Sequence, residues 1–148
     1  VERCRKNLER DHYPTPVKMI CDDIRNIEIA DASVVVLNFT LQFIPSDERC
    51  QLLEKIYQGM RPGGVLILSE KVVFADDHLH ELLADIHHDF TRSNGYSDLA
   101  ISQRRSALEN VLLPETILTH RDRLLQAGFS SCDVWFQCFN FMSMLAVK

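Results

Sequence analysis

One stretch limits what this chain can fold into more than any other. The apolar run Val34-Val35-Val36-Leu37 breaks off into the polar and aromatic cluster Asn38-Phe39-Thr40-Leu41-Gln42-Phe43. Leu52, Leu53, Ile56, Tyr57 and Met60 then recur at helical spacing and give one apolar face. Gly59 and Arg61-Pro62-Gly63-Gly64 stop that helix, and a second apolar run, Val65 to Leu68, follows. A strand, a helix and a second strand in this order form a crossover unit, the connection that adjacent parallel strands require. In open sheets of this kind ligands bind outside the carboxyl ends of the strands. Asn38 stands at such an end.

The flanking sequence extends the unit. Val1 to Arg10 reads as a charged helix that ends near His12, broken by Tyr13-Pro14-Thr15-Pro16. With no N-cap ahead of it, the chain reads as beginning inside an element. Val17 to Cys21 is expected as a short strand with Asp22-Asp23-Ile24-Arg25 at its carboxyl end. Val34–Leu37 is expected to be buried on both faces. Ser46 is the expected N-cap of the helix after Pro45. His78 to Phe90 and Asp98 to Val111 are expected as helices on either side of the turn Ser93–Ser97. Pro114-Glu115 should open a last helix to Ala127, stopped by Gly128. Cys132–Gln137 and Phe141–Val147 close the chain as a strand pair turning at Asn140. Strands alternating with helices predict an α/β fold with a mostly parallel sheet. The closing pair predicts one antiparallel strand at an edge. The helices at about residues 76–112 form a longer excursion than a crossover needs.

Composition narrows the class. The chain has 148 residues, within the size of one domain, and carries a net charge of −5. That balance argues against bulk electrostatic attraction to nucleic acid or to a membrane surface. No run is apolar over the length of a bilayer span. The five cysteines are scattered with no CxxC pair, which points to reduced thiols in a cytoplasmic protein.

Three strand ends carry polar groups: Asp22-Asp23, Asn38 and Ser69-Glu70. A carboxylate there can accept from a ribose or an adenine amino group, and Asn38 can both donate and accept. These ends point to an enzyme using a nucleotide cofactor. His87-His88-Asp89 matches no metal-ligand spacing, since neighbouring helix positions face different ways, and no metal site is expected. Arg104 reads as part of a solvated helix face. Arg105 reads either way, and facing a cleft its guanidinium would hold a carboxylate with two hydrogen bonds. Trp135, Phe136, Phe139 and Phe141 read as core packing between the last two strands.

Asp23-Ile24-Arg25, the stretch from Val35 to Phe43, Lys55–Gly59 and Pro62-Gly63-Gly64 together resemble the class I S-adenosylmethionine-dependent methyltransferases, with a Rossmann-like fold. Leu68–Lys71, His87–Phe90, Asn94–Ser97, Ile101–Gln103 and Trp135–Phe141 narrow the resemblance to the bacterial carboxy-S-adenosyl-L-methionine synthases, over essentially the whole chain. The resemblance implies a transferase that takes S-adenosyl-L-methionine (SAM) and prephenate. The sulfonium methyl is deprotonated and captures carbon dioxide from prephenate, giving carboxy-SAM and phenylpyruvate. A tRNA carboxymethyltransferase then uses the product to modify the wobble uridine to uridine-5-oxyacetic acid. The enzyme itself needs neither nucleic acid nor membrane, and a cytoplasmic homodimer is implied.

Carried over residue by residue, the resemblance implies that Asp23 and Ile24 contact the adenine side of the cofactor. Asn38 would contact it at the next strand end, and Arg105 would pair with the extra carboxylate of carboxy-SAM. Asp22 departs from the family pattern, placing a second carboxylate beside Asp23. The resemblance also places the Gly-rich first turn and the first two strands of the fold before residue 1. The chain is therefore expected to be the C-terminal portion of a single domain, ordered 4-5-7-6 in its main sheet, and to bind the cofactor weakly alone. A conventional SAM-dependent methyltransferase and a non-catalytic domain acting by association remain open as alternatives.

Overall fold

The computed structural model describes residues 2–11, 15–108 and 111–148. The expected end of the first helix near His12 lies outside them. The elements are helix α1 (Glu2–Asp11), strand β1 (Ala32–Asn38), a 3-10 turn (Leu41–Phe43), α2 (Arg49–Gly59), β2 (Met60–Lys71), α3 (Asp77–Ser93), α4 (Asp98–Leu108), α5 (Ile117–Gln126), β3 (Ser131–Cys138) and β4 (Phe141–Val147). The four strands form one sheet ordered β1-β2-β4-β3.

β1 and β2 are parallel, whereas β4 is antiparallel to both of its neighbours. Three strands therefore share a direction and one runs against them. The reversed strand sits inside the sheet, not at its edge as expected, because the tight turn at Phe139-Asn140 returns the chain between β3 and β2. Two of the three ladders are consequently antiparallel. Asn140 is buried in that turn, and Phe139 takes a positive φ of 52°.

The sheet has two unlike faces. Leu37, Leu66, Leu68, Met142, Met144 and Ala146 point to one face and are buried with Leu52, Leu53, Ile56 and Leu124 from α2 and α5. The other face is bare at β1, where Val34 is 58% and Val36 57% exposed. β1 is thus buried on one face and not on two. Burying a valine fully is worth about 1.5–3 kcal/mol, a gain these two side chains do not collect here.

The expected strand at Val17–Cys21 is irregular coil, with Val17 and Ile20 exposed. A strand needs a neighbour to take its backbone bonds, and β1 pairs only with β2 among the described residues. α2 begins three residues after the expected cap. Ser46 lies in a turn, and Glu48 precedes the helix without a side-chain cap. Gly59 ends α2 against the Ile29 backbone, where a Cβ would lie 2.2 Å from the carbonyl oxygen. β2 is longer than expected: Pro62-Gly63-Gly64 bulges within it, between the Ala32–Met60 and Val34–Val65 pairs. α3 is capped by Asp76, which accepts from the Leu79 N–H at 2.7 Å. α5 is capped by Thr116, and Gly128 ends it at a φ of 108°.

Candidate functional site

The carboxyl edge of β1 and β2 is built around a buried acid. Along β2 the side chains alternate, so Leu66, Leu68 and Glu70 enter the core while Ile67, Ser69 and Lys71 face the other way. Glu70 is fully buried. Its Oε1 accepts the Leu41 N–H at 2.8 Å and its Oε2 the Gln42 N–H at 3.0 Å. These donors open the 3-10 turn that follows Asn38. Burial pushes the Glu70 carboxyl up to about 7, against the pull of those backbone donors and of Arg49. Glu70 is therefore an internal anchor and not the ligand-type group its place in the sequence suggests.

Arg49 extends the anchor. Fully buried, it donates from Nε to the Ile44 carbonyl at 2.8 Å and from Nη2 to the carbonyls of Leu113 at 2.9 Å and Gln42 at 3.3 Å. Its Nη1 meets Glu115, which also receives both Nη groups of Arg123 at 2.6 Å. The loop after β1 is thereby tied to the segment that leaves α4 and enters α5.

Asn38 ends β1 exposed and pairs in register with Ser69 of β2, so both side chains share the less covered face. The Phe39 N–H donates to the Ser69 carbonyl at 2.8 Å, and Phe39 has a φ of 53°. A non-glycine residue in that region marks a sharp local turn. Ser69 itself is engaged away from the edge: its hydroxyl lies 2.9 Å from that of Ser143, which accepts from Trp135 Nε1 at 2.8 Å.

Asp23 sits in a turn ahead of β1. Its carboxylate accepts from Arg25 Nε at 2.9 Å, from Nη2 at 2.6 Å and from the Arg25 N–H at 2.9 Å. Those side-chain bonds hold it down to about 2. Arg25 Nη1 continues to Glu48 at the start of α2, at 2.6 Å. Since α2 starts from the carboxyl end of β1, this link puts Asp23 at the same sheet edge as Asn38. Oδ2 carries one of the three bonds and keeps a lone pair for a ribose or adenine donor. Ile24 is half-buried against the core and offers an apolar ledge. Asp22 turns back on its own loop, accepting from the Asp23 N–H and from Asn26 Nδ2 at 2.7 and 3.1 Å.

Arg105 lies exposed in the last turn of α4. It bears on Lys71 at the end of β2: burial lowers the Lys71 ammonium, and Arg105 and Arg104 lower it further. The four sequence candidates thus come from three places, the turn that holds Asp23 and Ile24, the end of β1 at Asn38 and the last turn of α4 at Arg105, with no side-chain hydrogen bond joining one place to another among the described residues. The structure also brings Lys71 and His87 to the carboxyl edge of β2, a grouping the sequence reading did not make. The signal for Lys71 was its alternation with Glu70, which puts it on the less covered face beyond Ser69.

The expected aromatic core divides. Trp135 and Phe136 are 60% and 56% exposed. Phe141 and Phe139 instead belong to the edge: Phe39 meets Phe141 at 5.8 Å, and His87 of α3 meets Phe141 at 4.9 Å and Phe139 at 6.0 Å. Away from this edge, a shallow groove of about 450 Å³ runs between α5 and β3, past Arg121, Leu125 and Trp135. It receives none of the strand-end groups. No helix among the described residues is long and apolar enough to cross a membrane.

Comparison with known proteins fits this architecture. Residues 1–68 match the family model described as a methyltransferase domain. The O-methyltransferase family protein from Burkholderia thailandensis superposes with a TM-score of 0.70 at 17% identity, over 99% of this chain and 40% of that one. Human N-acetylserotonin methyltransferase in complex with SAM gives 0.55 at 19% identity, over 86% of this chain and 32% of that one. These likenesses establish the class I methyltransferase fold. Curated relatives are far more similar in sequence. The carboxy-S-adenosyl-L-methionine synthases of Photobacterium profundum and Vibrio cholerae are each 63% identical over all 148 residues, and that of Actinobacillus pleuropneumoniae 60%. The chain is similar to these synthases along its whole length. It spans 60–61% of the length of these relatives.

Proposed function

We propose that this chain takes part in converting SAM and prephenate to carboxy-SAM and phenylpyruvate. The observation that carries the reading is identity of 60–63% along the entire chain to relatives named for that synthesis. Asn38 at the β1 end, the lone pair of Asp23 and the Ile24 ledge suit the polar and apolar parts of a nucleoside. When bound, SAM would supply the carbon that receives the carboxyl group. The chain's own residues hold and orient it: Asp23 and Ile24 on the adenine side, Asn38 nearer the amino-acid side, and Arg105 at the new carboxylate. The helices between β2 and α5, about residues 76–112, are read as an insert in a single methyltransferase-like domain. The product would serve a tRNA carboxymethyltransferase that modifies the wobble uridine, in the cytoplasm.

A homodimer fits the surface of α3. Leu79, Leu82, Ile86 and Phe90 recur on one side of that helix and are 40–54% exposed. An apolar stripe of this kind suits burial against a second copy.

The test is direct. Full-length protein is incubated with SAM, with and without prephenate, and the products are read by mass spectrometry. Carboxy-SAM that forms only with prephenate supports the reading, and its absence rejects it. Arg105→Ala should lose affinity for carboxy-SAM by roughly 10–100-fold, the worth of a charge-assisted bond, while affinity for SAM changes little. Equal losses for the two ligands would remove Arg105 from the assigned role.

A further inference from the structure

Lys71 pairs directly with Phe141 across the β2–β4 ladder, so their side chains stand side by side on the less covered face of the sheet. His87 of α3 lies edge-on to Phe141 at 4.9 Å and tilted over Phe139 at 6.0 Å. This face is also that of Asn38. One strand across and two residues along, Lys71 sits roughly 8 Å from Asn38 between Cα atoms, from standard sheet spacings. An aromatic shelf thus begins at Phe39, beside the candidate cofactor end, and runs under α3.

The charges that bear on Lys71 and His87 are of one sign. Arg104 and Arg105 both bear on Lys71. The His87 imidazole is held below its usual range by burial, then by His88, Lys71 and Arg104. Among the described residues, no carboxylate forms an ion pair with Lys71, Arg104 or Arg105. The nearest acid in sequence, Glu70, points to the opposite face and is bound to backbone donors. A folded chain that gathers cations without a counter-ion holds them against their mutual repulsion. An anionic ligand resolves that repulsion. The rings beside them select an anion that carries an unsaturated ring.

We propose that Lys71, Arg104 and His87, against Phe139 and Phe141, form the subsite for a ring-bearing dicarboxylate co-substrate. It lies next to the position where Arg105 takes the cofactor's carboxylate. Lys71 and Arg104 hold the carboxylates, the neutral His87 donates a hydrogen bond, and the phenylalanine edges contact the ring. The subsite rests on the synthase reading above, which names a substrate of this class.

The experiment uses full-length protein and two readouts. The first is calorimetric binding of prephenate with S-adenosylhomocysteine in the cofactor site. The second is steady-state formation of carboxy-SAM. Lys71→Met and Arg104→Met should each weaken prephenate binding and raise its KM roughly 10-fold or more, with the KM for SAM held within about twofold. Lys71→Arg should restore most of the loss. Carboxy-SAM formation with an unchanged prephenate KM in both Met variants overturns the subsite and leaves the synthase reading intact. Prephenate binding that the variants weaken, without carboxy-SAM from the parent, supports the subsite and overturns the synthase reading. Losses shared equally between SAM and prephenate assign these residues to the fold and overturn the subsite.

Discussion

Glu70→Gln tests the buried anchor of the site. In the folded chain the Glu70 carboxyl is raised from 4.5 to about 7, chiefly by burial. The folded state therefore binds the proton more tightly than the unfolded state. The resulting stability is fully present below pH 4.5 and is lost as the pH rises through 7. At about 1.36 kcal/mol per pH unit, that span amounts to about 3 kcal/mol. Glutamine keeps the size and removes the titration. It also offers one carbonyl acceptor where the carboxylate offers two, so the Leu41 or Gln42 N–H faces an amide donor. That mismatch costs about 1–3 kcal/mol at any pH.

The two effects separate by their pH dependence. Urea unfolding of the full-length parent and variant at pH 5, 6, 7 and 8 gives the difference in stability at each pH. The variant should be weaker than the parent at pH 5. The gap should close by about 2.5 kcal/mol between pH 5 and pH 8, where the parent holds a buried charge. A gap constant within about 0.5 kcal/mol across the range, the usual error of such differences, would refute the reasoning. It would mean that the two backbone donors, and not burial, set the charge of Glu70.

Two further substitutions probe the same framework. Arg49→Met removes the buried partner of Glu115 and strips the donor from the carbonyls of Ile44 and Leu113. A loss of about 3–5 kcal/mol is expected, read as a thermal midpoint lower by roughly 10 °C; Glu115→Gln in the same chain should recover part of it. His120 is buried with neither ring nitrogen bonded, and burial lowers it from 6.5 to about 4. Its depressed value means stability is lost as the pH falls from 6.5 through 4. His120→Leu should therefore reduce the drop between pH 7 and pH 4.5 by about 2–3 kcal/mol in urea melts, and an unchanged drop would show that His120 does not titrate in the core.

The parts of the fold legible in the sequence were those encoded locally. Leu52, Leu53 and Ile56 placed α2 by their spacing, and the Asn140 turn placed the β3–β4 pair. Val17–Cys21 misled because a β-type composition does not form a strand without a partner. Val34 and Val36 misled similarly: a continuous apolar run reads as buried on two faces, although what covers each face is a tertiary fact. Ser46 is a favourable cap residue, but the Pro45 turn runs on to Glu48 before α2 begins. The position of Asn38 at the end of β1 was legible because the apolar run stops there. The grouping of Lys71, His87 and Phe141 was not, since it depends on a cross-strand register and on how α3 lies over it.

The tetrapeptide Leu68-Ser69-Glu70-Lys71 shows why sequence proximity and function part company here. Alternation sends Leu68 and Glu70 into the core and Ser69 and Lys71 to the open face. Glu70 therefore acts on the ligand edge only indirectly, by fixing the turn that carries the chain away from Asn38. Lys71 acts on it directly, from the same strand and one residue later. A substitution at Glu70 should then change stability and its pH profile, and weaken both ligands together as the Asn38 loop loosens. A substitution at Lys71 should leave stability nearly unchanged and discriminate between ligands. If both substitutions produced the same pattern, the division of the strand into an anchoring face and a ligand-facing one would fail, whatever reaction the site carries out.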